Sequence, residues 1–142
     1  MYMEVPSREG CRTARYISPR FPRRNIGQAK CLTFSYNIFG KHGGQISVLD
    51  EQAKRLWRYT YNFETGEGSR WLSAFVTMGT NQTLFAIEAH QLGQRLEDEA
   101  EICVDNLLVL PLSCDGSYGI SVKPYYLVLQ SSVKTRIWSH VP

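Results

Sequence analysis

Residues 31–40 constrain the fold most strongly, because their side chains alternate between apolar and polar at every second position. The apolar positions are Leu32, Phe34, Tyr36 and Ile38, and the polar positions between them are Thr33, Ser35 and Asn37. A period of two is typical of a β-strand with one buried face. His42-Gly43-Gly44 then predicts a turn, and Ile46 and Val48 resume the alternation. We therefore expect two adjacent antiparallel strands joined as a hairpin.

Four further short segments have the composition of strands, and most of them end at Gly, Pro, Asn or acidic residues. They are residues 14–18, 71–78, 84–90 and 102–110. Short strands at this spacing predict an all-β sandwich. Residues 50–59 are less clear, since Leu49, Ala53, Leu56 and Trp57 fall at helical spacing. The sequence supports one or two helical turns there as well as it supports a segment without helix.

Length and hydrophobicity set the scale of the fold. The chain has 142 residues, of which 43% are hydrophobic, and this suits one globular domain with a buried core. Charged residues interrupt every long apolar stretch, so no transmembrane span is predicted. Residues 2–8 contain no apolar run of the length that a secretory signal needs.

The cysteines and one sequon bear on the compartment. Cys11, Cys31, Cys103 and Cys114 are too widely spaced for a zinc site, so they suit either buried thiols in the cytosol or two disulfides outside it. Asn81-Gln82-Thr83 is an acceptor sequence for N-glycosylation and follows a turn-like Gly-Thr pair. Asn81 is therefore a candidate glycosylation site, and it favours the extracellular alternative slightly.

Positive charge is concentrated near the N-terminus. Residues 1–30 hold seven basic groups against two glutamates, a net charge of +5. A cluster of Arg20, Arg23 and Arg24 is a candidate binding site for a sulfated glycan or nucleic acid. No nucleic-acid motif or interleaved aromatic platform accompanies these arginines, so a solvated loop is favoured and no nucleic-acid partner is expected.

The sequence carries no recognisable pattern of a catalytic site. It has no Gly-x-Ser-x-Gly elbow and no glycine loop leading into a helix. His42, His90 and His140 lie in a turn, at a strand end and near the C-terminus, and each is explained more simply as a surface or packing residue. We therefore predict a protein that is not an enzyme and has no cofactor or metal ion.

Several motifs resemble the MAM domain, an extracellular module of meprins, neuropilins and mu-type receptor tyrosine phosphatases. The upstream motifs are Tyr2-Met3-Glu4-Val5 and Ala14-Arg15-Tyr16-Ile17-Ser18-Pro19, where Tyr16 replaces a leucine. The strand motif of the family is matched by Cys31, Leu32, Phe34, Tyr36 and Gly40. Looser matches follow at Leu56-Trp57, Arg70-Trp71, residues 85–89, residues 102–107 and Cys114. The resemblance covers about residues 1–114.

The resemblance implies a jelly-roll β-sandwich with a disulfide between Cys31 and Cys114, which would stabilise the fold by about 4–5 kcal/mol. It also implies a non-catalytic protein-interaction or adhesion module of a secreted or cell-surface protein. Its partner would be another extracellular or cell-surface protein or a second copy of itself. The alternative is a carbohydrate- or heparin-binding jelly roll, in which Trp57, Tyr59, Tyr61 and Trp71 would stack on sugars, although core packing is favoured for most of them.

Departures from the family pattern give three further expectations. The first strands of the family and its first disulfide have no counterpart, so we expect a sandwich that lacks its N-terminal strands. Residues 115–142 would form a C-terminal extension or the start of another module. Cys11 and Cys103 are hypothesised to pair with each other, and Asn106 replaces an aspartate of the closing strand, which argues against a cation site.

Overall fold

A computed structural model describes residues 13–22, 27–39, 43–61, 70–92 and 101–115. All of the regular elements in these ranges are strands. They are β1 (Thr13–Ile17), β2 (Lys30–Phe39), β3 (Gly44–Leu49), β4 (Arg55–Tyr61), β5 (Leu72–Met78), β6 (Ala86–Gln91) and β7 (Glu101–Leu110). The strands predicted at residues 14–18, 31–40, 71–78, 84–90 and 102–110 are confirmed. The motif Tyr2-Met3-Glu4-Val5 lies outside the described residues.

The strands form two antiparallel sheets. The first sheet has the order β1-β6-β3-β4, and the second has the order β5-β2-β7. Each sheet turns one apolar face toward the other, because alternate residues of every strand point inward. The predicted all-β sandwich of jelly-roll type is confirmed.

The core lies between β2 and β3. Leu32, Phe34, Tyr36 and Ile38 are all buried, as the alternation of β2 predicts. Across the sandwich, Ile46 and Val48 of β3 are 0% exposed. Burial of a side chain of this size contributes about 1.5–3 kcal/mol, so these two central strands supply much of the stability.

The predicted hairpin between β2 and β3 is wrong. β2 pairs with β5 and β7, whereas β3 pairs with β4 and β6, so the connection at residues 40–43 passes from one sheet to the other. Alternation determines which side chains face the core, but it is satisfied equally by a strand beside β2 and by a strand facing it. Gly44 begins β3 where the sheets are close, and His42 lies outside the described residues.

Residues 50–59 form a tight turn followed by β4, so the helical alternative is wrong. The Asp50 carboxylate accepts hydrogen bonds from the backbone N–H groups of Gln52 and Lys54, with N···O distances of 2.9 and 2.8 Å. Ala53 has a φ of 60°, which is incompatible with a right-handed helix. The local hydrogen bonds of the aspartate compete with helix formation and turn the chain back as β4.

The disulfide between Cys31 and Cys114 is confirmed, with Cα atoms 4.8 Å apart. It joins the first half of β2 to the segment that follows β7. Cys103 is buried, and the bridge hypothesised between Cys11 and Cys103 stays a prediction. Cys11 lies outside the described residues.

Candidate interaction surfaces

The outer side of the four-stranded sheet carries a continuous set of polar side chains, which we call the polar face. Its residues are Thr13 and Arg15 on β1, Glu88 and His90 on β6, Gln45 and Ser47 on β3, and Arg58 and Thr60 on β4. Ser47 itself is buried. These residues alternate with the inward-facing core residues of the same strands. The strand register places Arg15, Glu88, Ser47 and Arg58 in one row across all four strands.

Two side-chain pairs order the β1 end of the polar face. Arg15 Nε donates to Glu88 Oε2 at 2.9 Å, and the Arg15 Nη2 atom contacts the same oxygen. Thr13 Oγ1 lies 2.8 Å from His90 Nδ1, within hydrogen-bond distance. An exposed ion pair contributes only about 0–1 kcal/mol to stability. These contacts therefore do more to orient the side chains than to hold the sheet together.

An exposed apolar residue lies beside this row. Ile17 of β1 is on the same side of the sheet as Arg15 and is 59% exposed. Arg58 is also exposed, and together with Arg15 it outweighs the single carboxylate of Glu88. An apolar side chain surrounded by arginine and polar groups is a combination typical of protein-binding surfaces.

The outer side of the three-stranded sheet has a different character. Phe75 of β5 is 64% exposed, and Trp71, which precedes β5 at a position of the same alternation, is 51% exposed. The register places Thr33 of β2 between Phe75 and Leu108 of β7. We call Trp71, Ser73 and Phe75 the β5 face. It presents two aromatic rings to solvent at the edge of the sheet.

The sugar-stacking aromatics predicted from the sequence do not form one platform. Trp57 packs edge-on against Phe34 and Tyr36, with ring centroids 5.6 and 5.4 Å away, and Tyr59 packs against Tyr36 at 5.1 Å. Tyr61 is buried, and Trp71 is the exposed member of the set. The prediction that most of these aromatics serve the core is confirmed.

This packing changes the acidity of one tyrosine. Burial, together with the neighbouring Tyr59 hydroxyl, raises the pKa of Tyr36 to about 12. Tyr36 is therefore held in its neutral form well above physiological pH.

Arg20, from the predicted basic cluster, is already engaged within the fold. Its Nη1 donates to Thr83 Oγ1 at 3.1 Å, and the Thr83 hydroxyl donates to Glu51 Oε2 at 2.5 Å. The carboxylate at the end of this chain of hydrogen bonds offsets the positive charge that an anionic ligand would need. Arg23 and Arg24 lie outside the described residues, so the basic cluster stays a prediction.

The sequon lies in an exposed turn between β5 and β6. Asn81 is exposed, and the turn is closed by the Gln82 N–H, which donates to the Gly79 carbonyl oxygen at 3.3 Å. The Gln82 side chain also accepts from the Gly79 N–H at 2.8 Å. The asparagine amide is therefore presented to solvent on a local turn.

Sequence reasoning missed Lys30, which is a buried cation. Its Nζ donates to the Gln28 carbonyl oxygen at 2.9 Å and lies 5.1 Å from the centroid of the Phe21 ring. Burial lowers the pKa of Lys30. The alternation of β2 could have predicted this, because Lys30 lies two positions before the inward residue Leu32 and therefore points to the same side of the strand. The aromatic ring and the carbonyl explain how a lysine is tolerated there.

Neither a metal-binding cluster nor a membrane-spanning helix is found in the described ranges. Within them, no group of three or more His, Cys, Asp or Glu residues is placed to hold a metal ion. The same residues contain no helix that is long and apolar enough to span a bilayer.

The fold and its disulfide define a class of protein. An antiparallel β-sandwich whose last segment is bridged by a disulfide to its central strand is typical of extracellular modules, because disulfides persist in oxidising compartments. The family model described as "MAM domain, meprin/A5/mu" matches residues 1–115, and the chain belongs to the MAM domain family. MAM domains are extracellular adhesion and protein-interaction modules and are generally non-catalytic.

Proposed function

We propose that this chain is a non-catalytic interaction or adhesion module of a secreted or cell-surface protein, and that the polar face contacts its partner. The observation that carries the proposal is the row from Arg15 to Arg58 beside the exposed Ile17. The partner is another extracellular protein or a second copy of the chain.

Charge supports a partner with an acidic surface. Two arginines flank one glutamate in the row, so the polar face carries excess positive charge. Complementary charges accelerate encounter and select the partner, and added salt screens them over a distance of about 8–10 Å. We therefore expect binding that weakens as the salt concentration rises.

A charge reversal tests the polar face. The non-reduced full chain should bind cells or itself in a bead-aggregation or cell-binding assay, and Arg58→Glu should weaken that binding by about tenfold. Arg70→Glu is the matched control, since Arg70 is exposed near the other sheet and the change in net charge is the same. Equal binding by both variants would remove the polar face from the proposal. No binding by the unchanged protein would contradict the interaction function itself.

The glycan alternative has less support from the same residues. Three of its four aromatics pack in the core, and Arg20 is hydrogen-bonded toward Glu51. Retention of the protein on heparin, with elution by salt, would favour this alternative over a protein partner.

We also propose that Asn81 carries an N-linked glycan, since its sequon lies on an exposed turn at one end of the sandwich. Expression in a secretory host should add the mass of one glycan, and Asn81→Gln should abolish that increment. An unglycosylated secreted protein would contradict this assignment.

A further inference from the structure

We infer that the acceptor sequence Asn81-Gln82-Thr83 receives its glycan only before the chain folds, because the folded protein holds both its threonine hydroxyl and its backbone. This order of events rests on the proposed glycan at Asn81 and specifies the state of the chain in which that glycan is attached. Asn81 itself is exposed. An acceptor sequence also requires a hydroxyl residue at its third position, however, so a transferase must bind Thr83 as well as the asparagine.

The hydroxyl group of Thr83 is engaged on both sides in the folded protein. It accepts a hydrogen bond from Arg20 Nη1 at 3.1 Å and donates its own proton to Glu51 Oε2 at 2.5 Å. A hydroxyl group has one proton to donate, and a hydrogen bond to a carboxylate is stronger than one between neutral groups. A transferase that binds this hydroxyl must therefore first displace Glu51.

The backbone of the acceptor sequence is held by an earlier segment of the chain. The Phe21 N–H donates to the Thr83 carbonyl oxygen at 2.7 Å, and the Gly27 N–H donates to the Thr80 carbonyl oxygen at 2.9 Å. These two bonds fix the chain on both sides of Asn81 and Gln82. The acceptor sequence therefore cannot leave the surface of the protein unless both hydrogen bonds open.

The same two segments are anchored in the core next to these bonds. The Ser18 N–H donates to the Phe85 carbonyl oxygen at 2.9 Å, and the Phe85 N–H donates to Ser18 Oγ at 3.0 Å. The Phe85 side chain is 0% exposed, and its ring lies 6.2 Å from that of the buried Phe21. Opening a segment with buried contacts costs more free energy than opening an exposed turn. Release of the acceptor sequence therefore disturbs the core and is rare in the folded protein.

The order of segments in the chain leaves a period in which the acceptor sequence is open. Strand β7 follows the acceptor sequence and pairs with β2, and Cys114, which is bonded to Cys31, follows β7. The three-stranded sheet and its disulfide are therefore completed only after the acceptor sequence has been synthesised. Pairing of strands that are distant in sequence is slow. Glycan transfer takes place during this period, and folding ends it.

Glycan transfer to the purified full chain in two states tests this order of events. Unglycosylated protein from a bacterial host is used either folded and oxidised or reduced, alkylated and unfolded, and circular dichroism establishes each state. With a purified oligosaccharyltransferase and its lipid-linked glycan donor, the unfolded chain should be glycosylated at Asn81 about tenfold faster or more. The control is a second acceptor sequence in an added N-terminal tag, which should react at the same rate in both states.

The outcomes separate the inference from the proposal on which it rests. Equal rates at Asn81 in the folded and unfolded chains would overturn the inference and leave the glycan in place. Absence of transfer to Asn81 in either state, with normal transfer to the tag, would contradict the glycan itself and the inference with it.

A pair of variants tests the part played by the hydroxyl group of Thr83. Glu51→Ala frees this hydroxyl, so it should increase the rate of transfer to the folded chain several-fold and leave the rate for the unfolded chain unchanged. Gln52→Ala is the matched control, since Gln52 is exposed on the same turn. Equal rates in the two folded variants would contradict the protection assigned to the Thr83 hydroxyl.

Discussion

At the residue scale, Gly44 lies where the two sheets approach each other closely. A Cβ atom at this position would lie 3.0 Å from both Ile38 Cγ2 and Ile102 Cδ1, which are side-chain atoms of β2 and β7. Overpacking of this kind typically costs about 1–3 kcal/mol, because neighbours must shift in a dense core. We expect Gly44→Ala to lower the free energy of unfolding by that amount in urea denaturation.

Gly79→Ala is the control for this prediction. Gly79 is exposed, and a Cβ atom added there would meet no atom within 4 Å. Its replacement should therefore change the unfolding free energy by no more than about 0.5 kcal/mol. Similar losses in the two variants would mean that crowding between the sheets is not the cause.

Tyr36 predicts a change of stability at alkaline pH. Its pKa is raised from the usual 10.0 to about 12 in the folded protein, so the unfolded chain loses the tyrosine proton first as the pH rises. The contribution of this pKa difference to the free energy of unfolding is fully present below pH 10. It is lost between about pH 10 and 12. Urea unfolding across this range should show a smaller decline in Tyr36→Phe than in the unchanged protein. A decline of equal size in both would contradict the assignment.

At the same scale, the alternation of β2 predicted its inward side chains correctly. It did not predict that a residue on the outer side of the strand would also be buried. Leu32 and Phe34 are inward because burial of apolar surface drives folding. Asn37, on the opposite side of the strand, is also buried. The pattern of one strand determines the two faces, whereas the covering of the second face depends on parts of the chain distant in sequence.

At the scale of elements, the turn before β4 depends on one carboxylate. Asp50 accepts hydrogen bonds from two backbone N–H groups, those of Gln52 and Lys54. Asp50→Ala should remove both and cost about 1–2 kcal/mol in thermal or urea unfolding. Asp50→Asn keeps an acceptor oxygen and should retain most of the stability. A loss in the asparagine variant equal to that in the alanine variant would contradict this role.

The wrong hairpin between β2 and β3 and the rejected helical alternative at residues 50–59 have one physical origin. Residues 50–59 contain apolar residues at helical spacing, yet the turn of Asp50 and the pairing of β4 with β3 override that weak preference. β2 and β3 were expected to pair because they are consecutive in the chain. Pairing is decided by which apolar surfaces meet in three dimensions, and neighbours in sequence are only the commoner solution.

At the scale of the whole molecule, the disulfide should be the largest single stabilising constraint. It closes a loop across 83 positions, and the chain-entropy model gives about 4–5 kcal/mol for a loop of this length. Addition of a reducing agent should shift the urea midpoint downward by a corresponding amount. The double variant Cys31→Ser, Cys114→Ser should already have the lower midpoint and should not respond to the reductant. Identical midpoints in all conditions would contradict this prediction.

The candidate surfaces also belong to this scale. No sequence motif marked the polar face, because Arg15, Glu88, Ser47 and Arg58 are far apart in the chain and become neighbours only through the order β1-β6-β3-β4. The predicted site at Arg20 was adjacent in sequence and proved to be hydrogen-bonded toward Glu51.

By itself, the sequence determined the all-β class, most of the strands and, through its motifs, the MAM family with the disulfide between Cys31 and Cys114. These features depend on the alternation of apolar and polar residues within single strands and on short sequence motifs. Only the tertiary structure decided that β2 and β3 lie in opposite sheets, that Lys30 is buried against Phe21, and which outer residues form the polar face. The reason is that strand partners and burial depend on contacts between distant segments, and these are set by packing of the whole core.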